Sequence, residues 1–124
     1  MDPEAEIARK LGIKPDSRVL VVGAAQGRDG LARGDVEERP DIVVAYFREA
    51  THLRAEAARL GDLIFPGGML WIAWPRKAAG HRSDIDENLI RDVVLPLGLV
   101  DTKVAALGED WSGLRVVWRK ERRK

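Results

Sequence analysis

Apolar positions along this chain follow two periods, and the order in which they alternate predicts the architecture. Val19-Leu-Val-Val22, between Arg18 and Gly23, is apolar at consecutive positions, the pattern of a strand covered on both faces. Asp41-Ile-Val-Val-Ala-Tyr-Phe47 and Gly68-Met-Leu-Trp-Ile-Ala-Trp-Pro75 read the same way. Between these two, Leu53, Ala57, Leu60 and Ile64 recur at spacings of four, three and four, a helical stripe. Pro66-Gly-Gly68 ends that helix and turns the chain into the next strand.

Ser83 followed by Asp86 reads as a capping box with Asp in place of the usual Glu. It opens a helix with Ile85, Leu89, Val93 and Leu97 on one side. Pro96 kinks or ends that helix, and Gly98 suits its C-cap. Strands near 100–107 and 113–119 finish the chain, joined by Gly108-Glu-Asp-Trp-Ser112. That link allows an antiparallel hairpin and is too short for a parallel crossover. A short amphipathic helix is also expected over 3–11, with Asp2 as cap and Pro3 at its first position.

Strands alternating with helices predict an α/β fold, a three-layer arrangement around a mostly parallel five-stranded sheet with a C-terminal antiparallel hairpin. The expected strand order is 18–23, 41–47, 68–74, then the hairpin with its last strand inserted. At 124 residues the whole chain, 1–124, is expected to be a single domain. Eighteen residues separate Val22 from Asp41. That interval holds one crossover between parallel strands and no further strand–helix pair.

Composition removes several function classes. Lys and Arg total 21 against 20 Asp and Glu, so net charge makes no case for nucleic-acid or membrane affinity. The basic tail Trp118-Arg-Lys-Glu-Arg-Arg-Lys124 reads as a solvated end. There is no cysteine, which excludes disulfides, thiolate metal sites and a Cys nucleophile. No apolar run approaches the ~20 residues that span a bilayer. The start lacks a basic and then apolar leader, so a cytoplasmic location is expected.

The strings Val19-Leu-Val-Val-Gly-Ala-Ala-Gln-Gly27 and Pro66-Gly-Gly-Met-Leu-Trp-Ile-Ala-Trp-Pro75, followed by a terminal hairpin, resemble a class I S-adenosylmethionine-dependent methyltransferase with part removed. More closely, Pro75-Arg-Lys77, Ser83-Asp-Ile85, Leu97-Gly-Leu-Val-Asp101 and Trp111-Ser-Gly-Leu-Arg115 resemble the DUF3052 family over roughly residues 10–120. This is a group of small bacterial proteins of unknown function with a truncated methyltransferase-like fold. The resemblance implies the fold and brings no catalytic residues with it.

Departures from a working methyltransferase shape the functional expectation. Gly23 and Gly27 enclose Ala24, Ala25 and Gln26, where Gly-x-Gly would let backbone approach a cofactor. Asp35, Glu37 and Glu38 have no preceding strand to aim a carboxylate at ribose hydroxyls. Arg48-Glu49 stands where amino methyltransferases carry Asn/Asp-Pro-Pro-Tyr. The expectation is a non-catalytic binding or protein-interaction module that holds no S-adenosylmethionine.

The alternative is an enzyme or sensor for a nucleotide-like or anionic small molecule at the carboxyl rim of the sheet. Gly23, Gly27, Arg48, Lys77, Trp111 and Ser112 are its candidate residues, with Arg76 beside them. Guanidinium groups suit phosphate, and Trp111 suits a base. The blander account is a solvated basic rim with Trp111 as a packing anchor. Arg115 falls on either pleat depending on register. His52 and His81 form no metal motif, and neither Ser83 nor Ser112 sits in a nucleophile elbow. Asp84, Asp86 and Glu87 read as first-turn acids favoured by the helix dipole. The strand at 18–23 becomes an apolar sheet edge, for which a homodimer is expected, or else cover by residues 24–40.

Overall fold

β-Branched and aromatic residues dominate Val19–Val22 and Ile42–Tyr46, as suits a buried pleated surface. The computed structural model describes residues 19–22, 40–76, 84–107 and 110–120. Strands β1 (Val19–Val22), β2 (Ile42–Tyr46), β3 (Met69–Pro75), β4 (Leu99–Leu107) and β5 (Trp111–Trp118) form one sheet in the order β1-β2-β3-β5-β4. The pairs β1·β2 and β2·β3 are parallel, and β3·β5 and β5·β4 are antiparallel. The last strand is therefore inserted between β3 and β4, and its pairing with β4 is antiparallel, as the short link predicts. Helix α1 (Ala50–Ile64) joins β2 to β3, and α2 (Glu87–Val94) precedes a 3₁₀ turn at Leu95–Leu97.

Both described helices lie on one face. Leu53, Ala57, Leu60 and Ile64 of α1, with Ile90 and Val94 of α2, meet Val43, Ala45, Leu70, Ile72, Leu114 and Val116 of the sheet. The opposite face holds Ile42, Val44, Trp71, Ala73, Leu107 and Trp111, all buried. The helix expected over 3–11 and the segment 24–40 lie outside the described residues. No described helix is long and apolar enough to cross a membrane.

The stripe expected on the second helix is displaced by one position. Ile85, Ile90 and Val94 are fully buried, whereas Leu89, Val93 and Leu97 are only partly so. The reason is the cap. Asp86, not Ser83, precedes the first turn, and its Oδ1 accepts the Leu89 amide at 2.8 Å. Ile85 and Ile90 then occupy the N′ and N4 positions that pair in a hydrophobic staple. At the other end Pro96 turns the chain into 3₁₀ geometry, and Gly98 closes it with φ 100°, the left-handed conformation that glycine adopts freely.

The hairpin link is shorter than 108–112. Trp111 and Ser112 belong to β5, paired with Leu107 and Ala106 on one side and with Pro75 and Trp74 on the other. An aromatic at the start of a central strand gains pairing on both flanks, which a loop would forgo.

Helix α1 ends under tertiary control. Phe65 donates to the Asp62 carbonyl, so the Gly61 carbonyl lacks its usual helical partner. The Trp118 indole Nε1 donates to it instead, at 2.9 Å. Trp118 also meets the Phe65 ring edge-on. On the outer strand, a bulge between Asp101 and Lys103 leaves Thr102 bonded to Arg115, whose Nε donates to its Oγ1 at 2.8 Å.

Candidate functional site

In an open sheet of this kind ligands sit beyond the carboxyl ends of the parallel strands. Here that rim comprises the ends of β2 and β3 and the start of β5. Pleat alternation decides what meets there. Tyr46 follows Ile42 and Val44 on the face away from the helices, and Trp111, opposite Pro75, lies on that same face. Their rings meet edge-on, 5.0 Å between centroids and 85° between planes. The Arg48 guanidinium carbon lies 5.0 Å from the Trp111 ring centroid, a cation–π geometry. Trp111 is 8% exposed, which makes it a packing anchor.

The structure thus joins Arg48 to Trp111 and separates both from Ser112. Ser112 is one residue further along β5 and sits opposite Trp74, on the helical face. Arg76 follows β3, and its amide closes the base of the hairpin through the Asp110 carbonyl at 2.8 Å. Arg115 pairs with Trp71 in mid-strand, away from the rim. Gly23, Gly27 and Lys77 lie outside the described residues, as do His81 and Ser83. His52 is an exposed helix residue that meets the Phe47 ring edge-on. Among the described residues no three potential metal ligands come together.

Two features of the rim had no local sequence signal. Helix α1 has no side-chain cap from Glu49. Asp84 Oδ1, 34 positions along the chain, accepts the Ala50 amide at 2.8 Å. A carboxylate there complements the positive end of the helix dipole. The second feature is a hollow of about 340 Å³ beside the head of α2, lined by Trp74, Asp86, Glu87 and Asn88. The Glu87 Oε2 and Asn88 Oδ1 atoms accept from Arg91, at 3.1 and 3.2 Å. Arg91 also donates from Nε to Asp101 Oδ2 at 3.0 Å, and this bond is the main cause of its raised pKa. It ties α2 to β4.

Among solved structures of similar fold is the magnesium protoporphyrin IX methyltransferase ChlM from Synechocystis PCC 6803 with bound SAH. It is 15% identical, with a TM-score of 0.58 over 94% of this chain and 81% of that one. The CcbJ methyltransferase from Streptomyces caelestis is 9% identical, with a TM-score of 0.60 over 94% and 88% of the two chains. Aeropyrum pernix fibrillarin, solved with natively bound S-adenosyl-L-methionine, is 17% identical, with a TM-score of 0.57 over 92% and 74%. Identities this low establish a methyltransferase-like fold and nothing about chemistry. No protein of curated function matches the sequence. Residues 21–120, including the Trp111-to-Arg115 string that builds the first half of β5, match one family throughout, and the chain belongs to that family, DUF3052, described as a protein of unknown function.

Proposed function

We propose that this chain is a methyltransferase-like module that binds or assembles with other molecules without catalysing a reaction. The observation that carries this reading is that the chain's own side chains engage the carboxyl rim. Asp84 takes the Ala50 amide at the head of α1, and Arg48 covers the Trp111 ring. A fold that held a ligand there would keep such donors open to it. Calorimetric titration with S-adenosylmethionine and with S-adenosylhomocysteine tests the reading. Neither should bind when the protein is at tens of micromolar, and low-micromolar affinity for either would overturn it.

A second reading, an anionic ligand at the same rim, draws support from Arg48, whose side chain is exposed yet held in one place by Trp111. The same calorimetry with inorganic phosphate and ATP addresses it. Binding that disappears in the Arg48→Ala/Lys77→Ala variant would favour this second reading over the first.

The partner we propose is a second copy of the chain, paired along β1. Among the described residues β1 is an edge of the sheet, and its sequence is apolar from Val19 to Val22. The opposite edge, β4, carries the guards that discourage pairing: a bulge at Thr102, exposed Lys103 and the Asp101–Arg91 ion pair. Light scattering at tens of micromolar should give twice the 13.8 kDa chain mass. A mass of 13.8 kDa at that concentration refutes the dimer.

A further inference from the structure

We infer that two copies of the chain join β1 to β1 in antiparallel register, about a two-fold axis perpendicular to the sheet, so that the two five-stranded sheets run on as one. The inference rests on the dimer proposed above and adds the geometry of its interface.

Both apolar clusters of the sheet reach β1 and stop there incompletely covered. Leu20 and Val22 pack against the cluster on the helical face, and Val19 packs against the cluster on the opposite face. All three are only partly buried, whereas Ile42, Val43, Val44 and Ala45 beside them in β2 are at most 3% exposed. The two strands differ in their neighbours. β2 lies between β1 and β3, and among the described residues β1 has β2 on one side only. A strand added beyond β1 continues the backbone ladder and both clusters at once. A segment laid over one face would cover one cluster and leave the backbone groups of the edge unpaired.

Symmetry sets the direction of the pairing. A closed two-fold contact presents the same surface from both copies. In a parallel ladder the residues level with each other are inequivalent, because one turns its N–H and C=O towards the neighbour and the other turns its own away. A two-fold axis makes them equivalent, so it forbids a regular parallel ladder. It admits the antiparallel one, in which facing residues exchange both bonds. An axis perpendicular to the sheet also keeps the two helical faces on one side, so each cluster continues into its counterpart. Pairing β1 with the other copy's β4 would be head-to-tail and would propagate into filaments. The bulge in β4 and exposed Lys103 oppose that contact, so assembly stops at two copies.

The test is a cysteine scan, for which the chain supplies no background thiol. Val19, Leu20, Val21 and Val22 are replaced by cysteine one at a time in the full chain, and each variant is oxidised at tens of micromolar. In an antiparallel pair about a two-fold axis one residue faces its own copy, with Cα atoms about 4.5–5.5 Å apart. A neighbouring position adds an offset of about 7 Å along the strand, which takes its Cα pair beyond the ~7 Å limit of a disulfide. One of the four variants should therefore form a covalent dimer, and the other three should not. A centre at Leu20 or Val21 keeps most of the strand paired, so one of these is the expected position. Light scattering and circular dichroism on the parent chain and on each reduced variant verify the dimer and the fold. A monomer mass for the parent chain overturns the dimer and this inference together. A dimer mass with no position cross-linking, or with all four cross-linking equally, overturns the antiparallel β1 pairing and leaves the dimer to another surface.

Discussion

Replacing Trp71 with alanine should lower folding stability by about 3–5 kcal/mol, the range for deleting a large buried aromatic. Trp71 is fully buried in the middle of β3, between Val44 of β2 and Arg115 of β5. It is the centre of the face that carries neither described helix, in a cluster with Ile42, Ala73, Leu107 and Trp111. Against a total stability of about 5–15 kcal/mol for a domain, that loss removes much of the margin. Urea unfolding followed by tryptophan fluorescence and circular dichroism measures it, with a melting temperature lower by roughly 10–20 °C. A loss below about 1 kcal/mol would mean that this face is a surface rather than a core.

Gly113→Ala should be destabilising by about 1–3 kcal/mol, although removing glycine from a strand ordinarily helps. An added Cβ would stand 2.8 Å from Leu107 Cδ1 and 3.1 Å from both Leu107 Cγ and Trp71 Cε3. Both neighbours are buried, so neither can swing out into solvent. The sign is diagnostic because propensity and packing predict opposite outcomes. A double-mutant cycle with Leu107→Ala tests the cause. Each single change should destabilise, and the pair should cost clearly less than their sum, since shortening Leu107 clears the space. Additive losses would show that the glycine serves something other than this contact.

These two residues also explain the string Trp111-Ser-Gly-Leu-Arg115 in physical terms. Trp111 packs on Tyr46, Gly113 admits Leu107 and Trp71, Leu114 is core, and Arg115 bonds the bulged Thr102. Alternate residues serve opposite faces of one central strand. This gives four of the string's five residues a structural role, whatever ligand the protein takes.

Much of the fold was legible from spacing alone. The α1 stripe at Leu53, Ala57, Leu60 and Ile64 is buried residue for residue. Two lengths predict the pairings, an antiparallel β4·β5 hairpin from the short link and a single crossover between Val22 and Asp41, while the insertion of β5 beside β3 is what the methyltransferase resemblance implies. The start of α2 was less legible, because Ser83 and Asp86 are both good caps and only the packing of Ile85 chose between them. The rim was the least legible part. Whether Arg48 reaches Trp111, 63 positions away, and whether Ser112 joins it, depends on the registers of β2 with β3 and of β3 with β5.

The sequence by itself determined the number of strands, their apolar faces, the helix between β2 and β3 and the family. Each of these rests on periodicity or on a contiguous string, and both are local properties of the chain. Only the tertiary structure decided that Trp118 completes the end of α1, that Asp84 covers its head, that Arg48 lies on Trp111, and that Trp74 faces an acidic hollow. Those pairings join residues 12 to 63 positions apart. Their free energy comes from satisfying a specific donor or covering a specific ring, and no periodic pattern along the chain encodes which distant residue will do so.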